Sequence, residues 1–425
     1  MATQTYRRAR ASLATAASIT LVGYAAGCAS AAAKNTSTGS AASSSAAGDV
    51  TPGVEVLLSD SIHLIRGKRV GLITNHSGRD RKGTSTIDLL YRTPGVRLTA
   101  LFAPEHGLRG LADAGASVET TVDSATGIPI YSLYGRTKVP TADMLANVDV
   151  LVYDIQDVGA RVYTYEWTMA LVADSTQKPF IVLDRPDPVR GDRVEGGVLD
   201  PKYRSFVGQY PVALRYGLTP GELLRYLVGT GQVHAEVKVV PMKNWHRSMW
   251  WEDTGLPWRN PSPNLRDMDA TILYTGTVFF EGTNATEGRG TEQPFRSVGA
   301  KWLTDAGEIA RELNARSLGV RFDSVSRPVA QGFKFGGDTI PMILLTVTDR
   351  SAVKPIEVGA HLLRAIYRRH TTEFQWKVSE IDRLFGSNRL RLAVEREGGI
   401  EELLPALAKE SEQFRQQSEK YWIYR

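Results

Sequence analysis

The chain has 425 residues, 42% of them hydrophobic and 23% charged, an ordinary globular composition with length enough for two domains. Its formal net charge of +5 comes from scattered Lys and Arg rather than a basic run, so no nucleic-acid partner is read from it. The single cysteine, Cys28, excludes an intrachain disulfide and a cysteine-based metal cluster, and seven histidines with no HExxH or paired spacing point away from a structural zinc. No metal and no cofactor is expected.

Residues 1–28 read as an export signal. Arg7, Arg8 and Arg10 form a positive n-region, and LATAASITLVGYAAG is an apolar stretch too short to span a bilayer permanently. AAGCAS follows. Small residues before a Cys at that place resemble a bacterial lipobox, with Cys28 as the lipidated residue, although Ala25 stands where Leu is usual. Ordinary signal cleavage nearby, with Cys28 a bystander, is the alternative. Residues 29–50 are rich in Ala, Ser, Gly and Thr and predict a flexible tether. These features predict an exported cell-envelope protein, held to the membrane by a lipid at Cys28 or otherwise periplasmic or secreted.

From residue 51 the pattern changes. RVGLIT (69–74), VRLTALF (96–102), DVLVYDI (149–155) and PFIVLD (179–184) are near-continuous apolar runs that suit strands buried on both faces. Helical patterns lie between them, over 84–92 and 163–176, the latter with Tyr163 and Trp167 at helical spacing. Strands alternating with helices predict an α/β fold with a Rossmann-like parallel sheet over residues 51–235. Thr219, Pro220 and Glu222 open a further helix as N-cap, N1 and N3. A second, smaller α/β domain is predicted over 236–425. Its strands are expected at 237–242, 270–276 and 340–348, and its helices near 304–317, 356–369 and 400–420.

In an open parallel sheet ligands sit beyond the carboxyl ends of the strands. The four exits read TNHSG, APEHGLRG, DIQDVGAR and DRPDPVRG, and each carries ionisable or amide groups beside Gly or Pro. Asn75, Glu105, His106 and Arg109 come from the first two. Asp154, Gln156, Asp157, Arg161, Asp184 and Arg185 come from the others. The second half adds WRNPSPNL, with Asn260 and Asn264, and FEGTNATEGRGTEQPF, with Glu281, Asn284, Glu287, Arg289 and Glu292. Neither GxGxxG nor a P-loop is present, which argues against a nucleotide.

Carboxylates, amides, aromatics and arginines suit a carbohydrate. Glycoside cleavage uses one carboxylic acid to protonate the leaving oxygen and a second group to stabilise or attack the sugar cation. Glu105, at a strand exit between Pro104 and His106, is the candidate acid. Asp154, Asp157 and Glu287 are candidates for the second role, and His106 for orienting Glu105 or touching the substrate. Plainer readings stand beside these. Asp154 and Asp157 could cap the following helix, Arg185 could brace its own turn, and Glu287 could pair with Arg289. Tyr163 could belong to the core rather than to a sugar platform.

Together, APEHGLRG, DIQDVGARVYTYEWTM, VLDRPDPVRG, NPSPN and EGTNATEGRGTEQPF resemble the family once called DUF1343, which includes exo-acting β-N-acetylmuramidases of the NamZ type. The resemblance runs from about residue 54 to the C-terminus. It implies a Rossmann-like domain joined to a smaller α/β domain, with the active site between them. It implies removal of N-acetylmuramic acid from the non-reducing ends of peptidoglycan fragments in cell-wall turnover, and it places a catalytic role on Glu105. Ala103 and Asp187 stand where Gly and Asn are more usual. The lactyl carboxylate of muramic acid would need a cation, with Arg109, Arg161, Arg185 and Arg289 as candidates. Asn75, Gln156, Tyr163, Asp184, Asn260, Asn264 and Asn284 complete the expected substrate contacts. The competing reading is a non-catalytic muropeptide-binding envelope lipoprotein of the same fold. The chain has no GxSxG, which argues against an esterase.

Overall fold

In a computed structural model, residues 49–109 and 121–425 are described. The export signal with Cys28, and the tether except its last two residues, lie outside them. The first half runs α1 (Gly53–Asp60), β1 (Arg69–Thr74), α2 (Thr86–Arg92), β2 (Arg97–Ala103), β3 (Thr121–Val122), β4 (Pro129–Ser132), α3 (Ala142–Leu145), β5 (Val150–Asp154), α4 (Tyr165–Ser175) and β6 (Phe180–Leu183). β7 (Glu195–Val198), β8 (Ala213–Arg215), α5 (Pro220–Gly229) and β9 (Val237–Val240) follow. The expected cap of α5 is present: Thr219 and Glu222 bond reciprocally to each other's backbone N–H.

Among the described residues seven strands form one sheet in the order β3-β4-β2-β1-β5-β6-β9, parallel except for the β3–β4 pair. Without the short β3, the chain order across the sheet is third, second, first, fourth, fifth, sixth. That is the doubly wound order, in which a crevice opens where the winding reverses, here between β1 and β5. Register aligns the strand ends: Ile73 lies opposite Phe102 and Tyr153, and Ala103 opposite Ser132. Glu105 and Tyr134, each two residues past one of these paired ends, therefore leave the same edge. The central strands β1, β5 and β6 are buried along nearly their whole length because both faces of the sheet are covered, which is why their sequences are apolar without alternation.

The second half holds α6 (Met268–Thr277), β10 (Ser297–Gly299), α7 (Ala306–Asn314), β11 (Val320–Pro328), β12 (Thr339–Val347), α8 (Pro355–Arg369), α9 (Val378–Phe385), α10 (Arg389–Glu395) and α11 (Gly399–Ser418). β10, β12 and β11 make an antiparallel sheet in that order. α6 crosses α8 at Gly276 and Gly359, where a Cβ on Gly276 would meet the carbonyl of Pro355, so the helices touch backbone to backbone.

Two expectations change. Residues 270–276 form the helix α6, capped by Asp267, which accepts from the N–H of Ala270. Every residue from Ala270 to Thr277 is buried, so no polar face marks the helical period, and a short apolar run of that kind reads equally as a strand. The strand at 237–240 pairs with β6 as the far edge of the first sheet rather than opening a second one. The chain's last residues also return to the first half. The backbone N–H of Ile423 donates to Glu222 at 2.8 Å, and the Tyr424 hydroxyl donates to Asp184 at 2.7 Å.

Candidate active site

A cavity of about 290 Å³ opens between the two halves. Glu105, His106, Tyr134, Lys138 and Tyr163 to Tyr165 line it from the first half, and Asn264, Tyr274, Glu281, Arg289, Phe295 and Arg383 from the second. The turn after β2 delivers Glu105. The Gly107 N–H donates to Pro104 O at 3.0 Å, and both His106 (φ 67°) and Gly107 (φ 73°) take the left-handed conformation. That conformation is uncommon for a histidine, and such strain persists where surrounding contacts over-determine it, as active sites do.

The Thr164 hydroxyl, at the N-cap of α4, donates to Glu105 Oε2 at 2.5 Å. Tyr134 also hydrogen-bonds Glu105. Burial raises the Tyr134 phenol well above its usual range and the Glu105 charge adds to it, so Tyr134 acts as a donor. These two hydroxyls hold a nearly buried carboxyl in one orientation at the cavity wall. Tyr163, Tyr165 and Tyr274 stack edge to face beside it, with centroids 4.9 and 5.9 Å apart. The Tyr165 hydroxyl donates to Pro261 O at 2.8 Å, which anchors the NPSPN loop.

Opposite them, Arg289 lies 2.6 Å from Glu281 and 2.9 Å from Glu287. Burial raises the Glu281 carboxyl, and Arg289 works against that rise. Glu281 lines the cavity, whereas Glu287 is buried behind Arg289 with Lys334 at 3.9 Å.

The other expected site residues divide into two groups. Asn75 and Arg109 line an adjoining hollow of about 160 Å³ with His76, Arg79 and Asp123. His76 donates through Nε2 to Asn260 O at 2.6 Å, so Asn260 takes part through its backbone, and burial pulls the His76 imidazole below its ordinary value. The second group bonds to protein partners. Asp154 pairs with Arg185 at 2.5 Å with both side chains buried, and it also accepts from the hydroxyl of Thr86. Asp157 accepts from the Tyr216 hydroxyl and, at 2.7 Å, from the Gly159 N–H; burial raises it to about 6 despite these donors. Gln156 donates to Pro186 O at 2.7 Å. Asp184 accepts from Thr219 and from the Gly221 N–H, both at 2.8 Å. Asn284 donates to Glu373 O at 2.8 Å. Arg161 donates to Val212 O at 3.1 Å and to Phe385 O at 2.5 Å, and burial lowers its pKa to about 9. Asp187 accepts from the Val189 N–H at 3.0 Å and burial raises it to about 7. It does not line the cavity.

Tyr134, Lys138, Thr164 and Arg383 enter the site without having been singled out from sequence, and Glu281, named there only as a polar residue of its segment, enters as a second carboxylate. The available signal for Tyr134 and Lys138 was a fifth strand exit, YGRTKVP after β4. A larger hollow of about 590 Å³, where β7 meets α11, mixes Glu195, Glu357 and Glu412 with Arg193, Lys354 and Arg415 and takes nothing from the exits of the parallel strands. Among the described residues no group of three His, Cys, Asp or Glu side chains could hold a metal ion.

Residues 70–269 match the family model described as exo-beta-N-acetylmuramidase NamZ, N-terminal, and residues 272–424 the one described as its C-terminal part. The peptidoglycan beta-N-acetylmuramidase NamZ of Bacillus subtilis (strain 168) is 41% identical over 380 residues, spanning 88% of this chain and 91% of its own. Two crystal structures of DUF1343 family proteins from Bacteroides fragilis NCTC 9343 superpose with TM-scores of 0.82 and 0.71, at 34% and 28% identity. Each covers 89% of this chain and 99% of the other.

Proposed function

The chain belongs to the exo-beta-N-acetylmuramidase NamZ family, and from that premise we propose that Glu105 is the general acid with which it releases N-acetylmuramic acid from peptidoglycan fragments. The protein is a glycoside hydrolase. It removes β-1,4-linked N-acetylmuramic acid from non-reducing ends. The observation that supports Glu105 as the acid is its setting: a nearly buried carboxyl, fixed by Thr164, on the wall of a cavity built from both halves. A proton donor must be held within hydrogen-bond reach of the leaving oxygen, and a fixed carboxyl at a sugar-sized cavity meets that condition. The aromatic group of Tyr163, Tyr165 and Tyr274 offers apolar surface to a pyranose, and among the described residues Glu281 is the other carboxylate lining the cavity.

The test is direct. The purified protein should release free N-acetylmuramic acid from MurNAc-GlcNAc and dye from a chromogenic β-MurNAc glycoside. Tight binding of MurNAc-GlcNAc with no release from either compound would favour the muropeptide-binding reading instead.

We also propose export and lipidation at Cys28, with residues 29–50 as the tether between anchor and enzyme. The support is the charged n-region, the apolar stretch and AAGCAS. Cells fed a clickable palmitate analogue should label the wild-type protein and leave Cys28→Ala unlabelled. Equal labelling of both, or of neither, would rule out this anchor.

A further inference from the structure

Muramic acid differs from N-acetylglucosamine by a lactyl ether on O3 that carries a carboxylate. A muramidase that distinguishes the two needs a cation in its cavity with bonding capacity to spare. The arginines expected for this task are committed or displaced. Arg161 and Arg185 are buried on protein acceptors. Arg289 stands between two carboxylates, so its immediate surroundings are not positive. Arg109 lines the neighbouring hollow rather than the cavity.

Lys138 differs from all of these. It lies on the loop between β4 and α3 and lines the cavity. Its ammonium sits 3.7 Å from the centroid of the Tyr134 ring and 3.9 Å from that of Phe206, and the two rings are 6.0 Å apart. Two aromatic faces hold the cation without neutralising it. Among the described residues no carboxylate lies within ion-pair distance of Lys138, although Glu105 is near enough for its charge to act on it. The loop itself is fastened, with the Thr137 hydroxyl donating to Val139 O at 2.6 Å. O3 is carried by C3, two ring bonds from the anomeric carbon, so a group gripping the O3 substituent must stand within a sugar's width of the acid at C1. Lys138 and Glu105 share the cavity on that scale, and Tyr134 touches both.

We propose that Lys138, caged by Tyr134 and Phe206, binds the lactyl carboxylate and sets the preference for muramic acid over N-acetylglucosamine. The proposal rests on the muramidase reading and names the residue behind its substrate choice.

The test uses the full chain with Glu105→Gln to prevent turnover. Calorimetry compares MurNAc-GlcNAc with its lactyl methyl ester, which keeps the shape and removes the charge. Adding Lys138→Met or Lys138→Gln should weaken binding of the acid about tenfold to a hundredfold, as expected for a charge-assisted hydrogen bond, and of the ester by under about threefold. Lys138→Arg should restore much of the loss. Equal weakening of both ligands, no weakening of either, or a selective loss in Arg383→Met but not in Lys138→Met would overturn the assignment. Failure of the muramidase reading would appear elsewhere, as absence of product from the unsubstituted protein.

Discussion

Glu105→Gln is expected to lower kcat on MurNAc-GlcNAc by roughly 10³-fold, within the 10²–10⁴ that a positioned general acid contributes. Glutamine keeps an oxygen for Thr164 and so preserves the local geometry, but it has no acidic proton for the leaving oxygen. Substrate affinity should stay within about threefold, because the lost interaction belongs to the transition state. The loss should also depend on the leaving group. An N-acetylglucosamine alkoxide departs poorly without protonation, whereas a nitrophenolate needs little help. The aryl glycoside should therefore lose much less rate than the disaccharide. Steady-state kinetics on the two substrates makes the comparison. An equal loss on both would remove Glu105 from the acid's role, and retained activity on the disaccharide would remove it from catalysis.

Glu222→Ala is expected to destabilise the protein by about 3–5 kcal/mol, the loss that follows when a buried ion pair keeps only one partner. Glu222 and Arg247 are 0% and 4% exposed and 2.7 Å apart. Glu222 also accepts from the backbone N–H of Ile423, and the Arg247 guanidinium stacks on Trp422 at 3.7 Å. Removing the carboxylate strands Arg247 and breaks the bond that holds the Ile423 backbone. Urea unfolding followed by tryptophan fluorescence should give a lower midpoint. Glu222→Leu with Arg247→Met should recover a large part of the loss, because no charge then stays buried alone. A single-variant loss below about 1 kcal/mol would contradict the role given to this pair.

The parallel sheet was legible because burial on both faces leaves a continuous apolar run, and β1, β2, β5 and β6 fall within a residue or two of their expected places. α6 was not legible, because a helix buried all round has no polar stripe to count. β4 was missed as well. It has four residues with only alternate ones buried, too weak a pattern to mark a strand, and the exit carrying Tyr134 and Lys138 is hidden with it. Phe206 closes the cage on Lys138 from 68 residues further along the chain, a partnership that no local pattern carries. Glu105 was legible for the opposite reason: it follows a strong strand directly. The remaining exits illustrate a limit of composition. Asp154, Asp157, Arg161 and Arg185 are as polar as any sugar contact, and every buried polar group needs a partner. Whether that partner is protein or ligand depends on coordinates, and here Thr86, Tyr216 and the backbone supply it.

Arg161 has a consequence beyond its own hydrogen bonds. It springs from the sheet side of the cleft and ends on the carbonyls of Leu384 and Phe385, at the end of the helix that brings Arg383 to the opposite rim. Prising the rims apart would strand a guanidinium in a dry interior, so the gap has its width before any sugar arrives. Recognition then requires little rearrangement: the ordering was completed at biosynthesis, and an incoming chain end meets a finished mould.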